Sequence, residues 1–130
     1  MSSYLFDTCF LIDLEREMRR GPGKAHQFLQ QRASARACLS WTVAGEFAEL
    51  FGDIHHPACA AMLTRFDILP MDQSTAHYYA VTTRHLRGKN QLIGANDHWI
   101  AAAALAHAMP LVTNNSEHFS RIPGLLVVGY

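Results

Sequence analysis

Short apolar runs alternate with longer stretches of helical spacing along this chain. Tyr4-Leu5-Phe6 is an apolar run that ends at Asp7, the pattern of a buried strand with a polar residue at its carboxyl end. Residues 37–40, 68–69, 111–113 and 125–128 read as further short strands. Between them lie helical patterns. Residues 24–35 place Ala25, Phe28 and Leu29 at i, i+3, i+4 spacing, and Glu46 to Phe51 continue a helix for which Thr42 is the expected N-cap. Residues 57–66 begin with Pro57 in a first turn, and 74–86 follow Asp72 and Ser74, either of which can cap. Residues 99–108 form an Ala-rich run opened by Asn96 or Asp97 and stopped by Pro110. Residues 10–20 fit one helix or two short turns.

Short strands separated by helices predict an α/β fold with a central, mainly parallel sheet of four to five short strands flanked by helices. In such sheets ligands gather beyond the carboxyl ends of the strands. That singles out Asp7, Ser40 and Thr113, with Thr8, Thr42, Asn114 and Asn115 just behind them.

Composition narrows this picture. A chain of 130 residues, 49% of them apolar, is expected to fold as a single domain, residues 1–130, around a real core. Lys and Arg number 11, as do Asp and Glu, so net charge is zero with neutral histidine. That balance excludes a polycation that coats nucleic acid, though not a local basic patch. The three cysteines, Cys9, Cys38 and Cys59, form no CxxC pair, which points to a reducing compartment. Acidic residues interrupt the N-terminal stretch, and the longest uncharged run, residues 98–116, is broken by Pro110 and two asparagines. The expectation is a cytoplasmic protein with no membrane segment.

Three acids stand in apolar surroundings: Asp7 directly after the first strand, Glu46 one turn into the helix after the second, and Asp97 at the start of the helix before the fourth. Each alone has a simpler explanation. Asp97 suits an N-cap, Asp7 suits an Asx-turn, and Glu46 suits either a buried Arg partner or an exposed helix face shared with Glu49. Their joint placement, one near each of three strand ends, points instead to a site for a hard divalent cation. Clustered carboxylates repel one another unless such an ion offsets the charge, and Mg²⁺ or Mn²⁺ suits oxygen ligands.

Five segments carry a resemblance. Leu5-Phe-Asp-Thr-Cys-Phe-Leu-Ile-Asp-Leu14 resembles the opening of PIN-domain ribonucleases, whose first strand ends in an Asp-Thr pair. Ser40-Trp-Thr-Val-Ala-Gly-Glu46-Phe is similar to their second motif, and Ile93-Gly-Ala-Asn-Asp97-His-Trp to the third, an Asn-Asp pair opening an Ala-rich helix. Leu111-Val-Thr-Asn-Asn115-Ser-Glu-His-Phe119 and Ile122-Pro-Gly-Leu125 resemble the closing strand, loop and tail. The likeness runs from about residue 4 to residue 128 and is strongest to the VapC-type toxins of bacterial toxin–antitoxin pairs.

The resemblance implies a Mg²⁺- or Mn²⁺-dependent endoribonuclease that hydrolyses phosphodiesters to a 5′-phosphate and a 3′-hydroxyl. It implies Asp7, Glu46 and Asp97 as catalytic, metal-binding acids, Glu46 acting directly or through water. Asn115 falls where family members carry Asp or Asn and would contribute a neutral oxygen. His118 falls where Asp is common, with Glu117 beside it as a substitute or a solvated loop residue. Thr8, Thr113 and Asn114 would orient acids or water from behind. The implied partners are a cognate antitoxin protein, an RNA substrate and a second copy of the chain in a homodimer. Partner contacts are expected on Leu11, Leu14 and Phe28 and around Phe47, Leu50 and Phe51, although for any one of these core packing is the simpler explanation.

Two basic groups suit phosphate contact: Arg84, Arg87 and Lys89, and the earlier Arg16, Arg19, Arg20 and Lys24. The eight histidines show no HExxH-like spacing; His98, next to Asp97, suits an RNA contact or a helix surface. Asn115 and His118, in place of acids, keep open a PIN-like module that binds RNA or protein without cutting. A different metal-dependent phosphohydrolase is the weaker rival, since the chain has neither a P-loop nor a phosphoaspartate motif.

Overall fold

The protein, seen in a computed structural model that describes residues 2–130, is an α/β structure. Five strands, β1 (Ser3–Phe6), β2 (Arg36–Leu39), β3 (Asp67–Ile68), β4 (Leu111–Val112) and β5 (Val127–Val128), form one sheet in the order β3-β2-β1-β4-β5. Every neighbouring pair is parallel. Successive strands step outward from β1 to β3, and the chain then returns to the other side of β1 to lay down β4 and β5. The order therefore reverses between β1 and β4, which is where an open parallel sheet leaves a crevice at its carboxyl edge.

Seven helices connect the strands among the described residues: α1 (Thr8–Arg20), α2 (Lys24–Gln31), α3 (Trp41–Glu49), α4 (Pro57–Leu63), α5 (Gln73–Gly88), α6 (Ala95–Ala106) and α7 (Ser116–Phe119). Residues 10–20 resolve into one helix, α1, rather than two turns, because the Asp7 side chain caps it by accepting from the Phe10 amide at 3.2 Å. Strand β2 stops at Leu39, so Ser40 is not a strand residue. Its hydroxyl accepts from the Val43 amide at 3.2 Å and caps α3, and Thr42 lies inside the helix rather than at its cap. Helix α6 likewise starts earlier than expected, after Gly94, which leaves Asn96 and Asp97 within its first turn. Asp72, not Ser74, caps α5, in a reciprocal arrangement with Thr75. Helix α7, expected as loop, is a single turn anchored by buried Phe119.

The core lies between sheet and helices. Leu5, Phe6, Phe10, Leu39, Leu111 and Ile100 are almost fully buried, as are Leu11, Leu14, Phe28 and Phe47. The last four therefore pack the interior and are not a partner surface, whereas Leu50 is exposed. Helix α6 owes its burial to its alanines, Ala101 to Ala104, whose small side chains let α5 pack against it. No helix among the described residues is long and apolar enough to cross a membrane.

Candidate active site

The crevice at the reversal of strand order is built from four places. Asp7 leaves the end of β1 and Thr113 the end of β4, with the Asp7 amide bonded to the Val112 carbonyl at 3.2 Å. Glu46 rises from α3 and Asp97 from the first turn of α6, where a helix N-terminus favours negative charge.

Asp7 is 5% exposed and fully engaged. One carboxylate oxygen accepts from the Phe10 amide and, at 2.8 Å, from the Cys9 thiol. The other accepts a short hydrogen bond from the Thr113 hydroxyl. The cap and the site are thus one side chain: the Asx-type role is real and does not compete with the chemical one. Burial holds the Asp7 carboxyl above its ordinary pKa, the charge of Asp97 adds to this, and the Cys9, Thr113 and Phe10 donors only partly offset it. Asp97 is raised too, first by burial and then by repulsion from Glu46, with His118 acting in the opposite direction.

Glu46 is half-buried and held by two donors, the Thr8 hydroxyl at 2.6 Å and the Asn96 amide at 3.3 Å. A buried-Arg partner is not what it finds. Asn115 is exposed; its backbone amide donates to the Thr113 hydroxyl at 3.0 Å and its side-chain amide lies 3.3 Å from Nδ1 of His118. That same imidazole nitrogen is 3.7 Å from the Asp97 carboxylate.

The expected acids therefore share one edge and feel one another's charge, but each keeps its own partner. Among the described residues no three His, Cys, Asp or Glu side chains converge closely enough to share an ion. The donor chemistry nevertheless fits a divalent cation. Two carboxylates, Asp7 and Asp97, have their charged forms disfavoured by burial and by a neighbouring acid, and neither has a Lys or Arg within ion-pairing distance among the described residues. Carboxylate and amide oxygens are the ligands such ions take.

The other expected residues fall on both sides of this edge. Thr8 and Thr113 sit behind Glu46 and Asp7, each through a hydrogen bond. Asn114 turns away, accepting from the Tyr130 amide at 3.0 Å. Arg84, Arg87 and Lys89 are exposed at the end of α5, and the charge of Arg87 reaches His98. Glu117 is solvated and 3.7 Å from Arg121. His98 is buried, so it is neither an RNA contact nor a helix-surface residue. Its Nε2 accepts from the Ile93 amide at 3.3 Å, and its ring lies near Tyr79. Of the earlier basic group, Arg16 pairs with Asp13 and Arg19 with Glu15 along α1.

Two contributors escaped the sequence reading. Cys9 donates to Asp7; its place two residues into the helix that Asp7 caps was the available signal. Asn96 steadies Glu46 across 50 residues of chain. Only its position beside Asp97 hinted at this.

This arrangement of parallel sheet and strand-end acids is that of the PIN domain. The chain matches that family over residues 4–125 and belongs to it. Within the family it is similar to VapC ribonucleases. It is 38% identical over 65 residues to Ribonuclease VapC2 of Rickettsia felis, a stretch covering 50% of this chain and 48% of that protein. The matched stretch thus spans about half the length of the curated relatives. Similarity of fold is more extensive. The crystal structure of VapBC2 from Rickettsia felis, bound to a DNA fragment from its promoter, superposes with a TM-score of 0.83 at 25% identity, covering 98% of each chain. That of DNA-bound VapBC from Salmonella typhimurium gives 0.81 at 24% identity, over 99% of this chain and 98% of the other.

Proposed function

We propose that this chain is a Mg²⁺- or Mn²⁺-dependent endoribonuclease, the toxin of a toxin–antitoxin pair, acting through one domain of residues 1–130. The observation that carries the reading is the gathering of Asp7, Glu46 and Asp97 in a PIN fold, with the charged forms of Asp7 and Asp97 disfavoured first by burial and then by a neighbouring acid, Asp97 for Asp7 and Glu46 for Asp97.

A bound divalent ion would supply Lewis-acid chemistry here, lowering the pKa of a water and offsetting charge on phosphate oxygens. Asp7 and Asp97 would hold it, with Asn115 contributing a neutral oxygen. Glu46, held by hydrogen bonds from Thr8 and Asn96, would accept a proton from water at the site. Thr113 and Cys9 fix the Asp7 carboxylate in one orientation, so that no reorganisation is needed when substrate arrives. Arg84, Arg87 and Lys89 would draw the RNA backbone toward α6.

The similar VapBC structures contain a toxin with its antitoxin. We take the partner here to be an antitoxin protein that covers the acidic crevice, and the active form to be a homodimer in the cytoplasm.

The test is cleavage of total cellular RNA by purified protein with Mg²⁺, Mn²⁺ or EDTA, alongside Asp7→Asn and Asp97→Asn. Cutting should require metal, and either variant should lose at least about a hundredfold in rate while remaining folded. Full activity in either variant would refute the assignment. A second reading is favoured by Asn115 and His118 standing where acids are common: a module that binds RNA without cutting. Affinity for RNA with no turnover at any divalent concentration would select it.

A further inference from the structure

We propose that a basic groove along α2 holds the sugar-phosphate backbone of single-stranded RNA where the strand passes out of the crevice. The inference rests on the ribonuclease reading above and names the surface of this chain that such a substrate follows.

Residues 24, 27, 28, 31 and 32 recur at i, i+3, i+4, i+7 and i+8, which makes them one stripe along α2. Lys24, Gln27, Phe28, Gln31 and Arg32 form one wall of a groove of about 330 Å³, and Tyr130 stands across it. Two cations and two amides line the groove and no carboxylate does, in a chain with as many acidic as basic side chains. The acids nearby are engaged elsewhere. Glu17 accepts from the amides that open α2, while Asp13 pairs with Arg16 and accepts from the Tyr130 hydroxyl at 2.6 Å.

Both cations are held where an anion would meet them. Arg32 is half-buried; its guanidinium lies 3.7 Å over the Phe28 ring and donates to the Phe28 carbonyl at 3.4 Å. This orients the fork and leaves most of its N–H donors free. Lys24 sits in the first turn of α2, where the helix dipole disfavours a cation, and Glu17, which caps the same turn, is beyond ion-pairing distance. Neither cation pairs with a carboxylate among the described residues. They lie eight residues apart, about 12 Å along the helix, a span that suits successive phosphates of a polymer rather than one small anion.

The groove also adjoins the site. The Tyr130 amide donates to Asn114, and its hydroxyl lies 3.5 Å from the Cys9 sulfur, which donates to Asp7. A strand with one phosphate at the acids meets the groove once it passes Tyr130. Charge contacts of this kind grip the backbone and read no sequence.

Lys24→Gln and Arg32→Gln, singly and together in the full chain, test this with a labelled single-stranded RNA. Binding is measured in EDTA over a range of salt concentrations, and cleavage with Mg²⁺ or Mn²⁺. Each lost phosphate contact should reduce the slope of log affinity against log salt by about 0.7, so the double variant should lose about 1.4. Its KM for RNA should rise with kcat unchanged, because the groove lies outside the reacting centre. Lys24→Gln alone, at an exposed position, should show the single decrement with no change in melting temperature. A double variant that matches wild type in salt slope and KM would overturn the groove and leave the ribonuclease reading standing. Polyglutamate of matching length that binds wild type as tightly as the RNA, and loses that binding in the double variant, would overturn the proposal in favour of an acidic protein segment. Wild type that neither binds nor cuts RNA would overturn both readings.

Discussion

The energetics of single residues set function against stability. Asp97 ionises only at a cost, because burial and Glu46 both disfavour its charge. Asp97→Asn removes that charge at nearly constant volume and keeps a polar group in the first turn of α6. Its expected result is a protein that melts at the same or a higher temperature yet cuts no RNA, read by thermal denaturation beside the cleavage assay. Thr113 behaves in the opposite way. It is fully buried, and its hydroxyl both donates to Asp7 and accepts from Asn115. Thr113→Val keeps the shape but leaves a buried carboxylate oxygen short of a donor. We expect a loss of about 1–3 kcal/mol in urea unfolding, together with slower cleavage. The two variants separate a residue whose charge the fold tolerates from one whose hydrogen bonds the fold uses.

At the scale of elements, the capping chemistry decided which sequence expectations held. Asp7 and Asp72 were legible as polar residues at a strand end and a helix start. Ser40 was displaced by one category, from strand to cap, because a Ser followed by Trp-Thr-Val fits either until the hydrogen bond to Val43 is seen. Helix α2 was legible from Ala25, Phe28 and Leu29, as was its start at Lys24, but not what caps that start, and the helix ends at Gln31 rather than at residue 35. Gly23 offers no capping side chain, and Glu17, from the preceding helix, accepts from the Gly23, Ala25 and His26 amides at 2.7, 3.0 and 2.9 Å. A cap supplied from six to nine residues away leaves no local pattern to read. Burial pushes the Glu17 carboxyl upward, but the three amides outweigh it and hold its pKa below the ordinary 4.5. A carboxyl lowered in this way stabilises the fold above its ordinary pKa, and that contribution is lost as pH falls through the lower, folded value. Glu17→Gln should therefore cost about 1–2 kcal/mol at pH 7 in denaturant unfolding. The difference from wild type should shrink below pH 4.5, where the unfolded-state carboxyl gains its proton.

For the whole molecule, the residues of the site could be named from sequence, but their meeting could not. Asp7 was identifiable as a polar residue ending a short apolar strand, and Glu46 and Asp97 as acids in otherwise apolar helical stretches. What brings Asp7 beside Thr113 is the order β3-β2-β1-β4-β5, which places β4 against β1 although more than 100 residues separate them. Strands of two residues, such as β3, β4 and β5, carry no periodicity from which that order could be inferred. The same topology predicts how the folded chain responds to metal. The crevice gathers acids from β1, α3 and α6, elements far apart in sequence, so the unfolded chain has no comparable site. An ion that binds there binds the native state alone, and stabilises it by about 2.7 kcal/mol at a free concentration of a hundred times Kd. Thermal unfolding of wild type should thus shift upward with Mn²⁺ and return with EDTA, while Asp97→Asn should show little shift although its intrinsic stability is preserved. An equal shift in that variant would mean that the ion binds elsewhere, and that the acids at the reversal of strand order serve the fold rather than a metal.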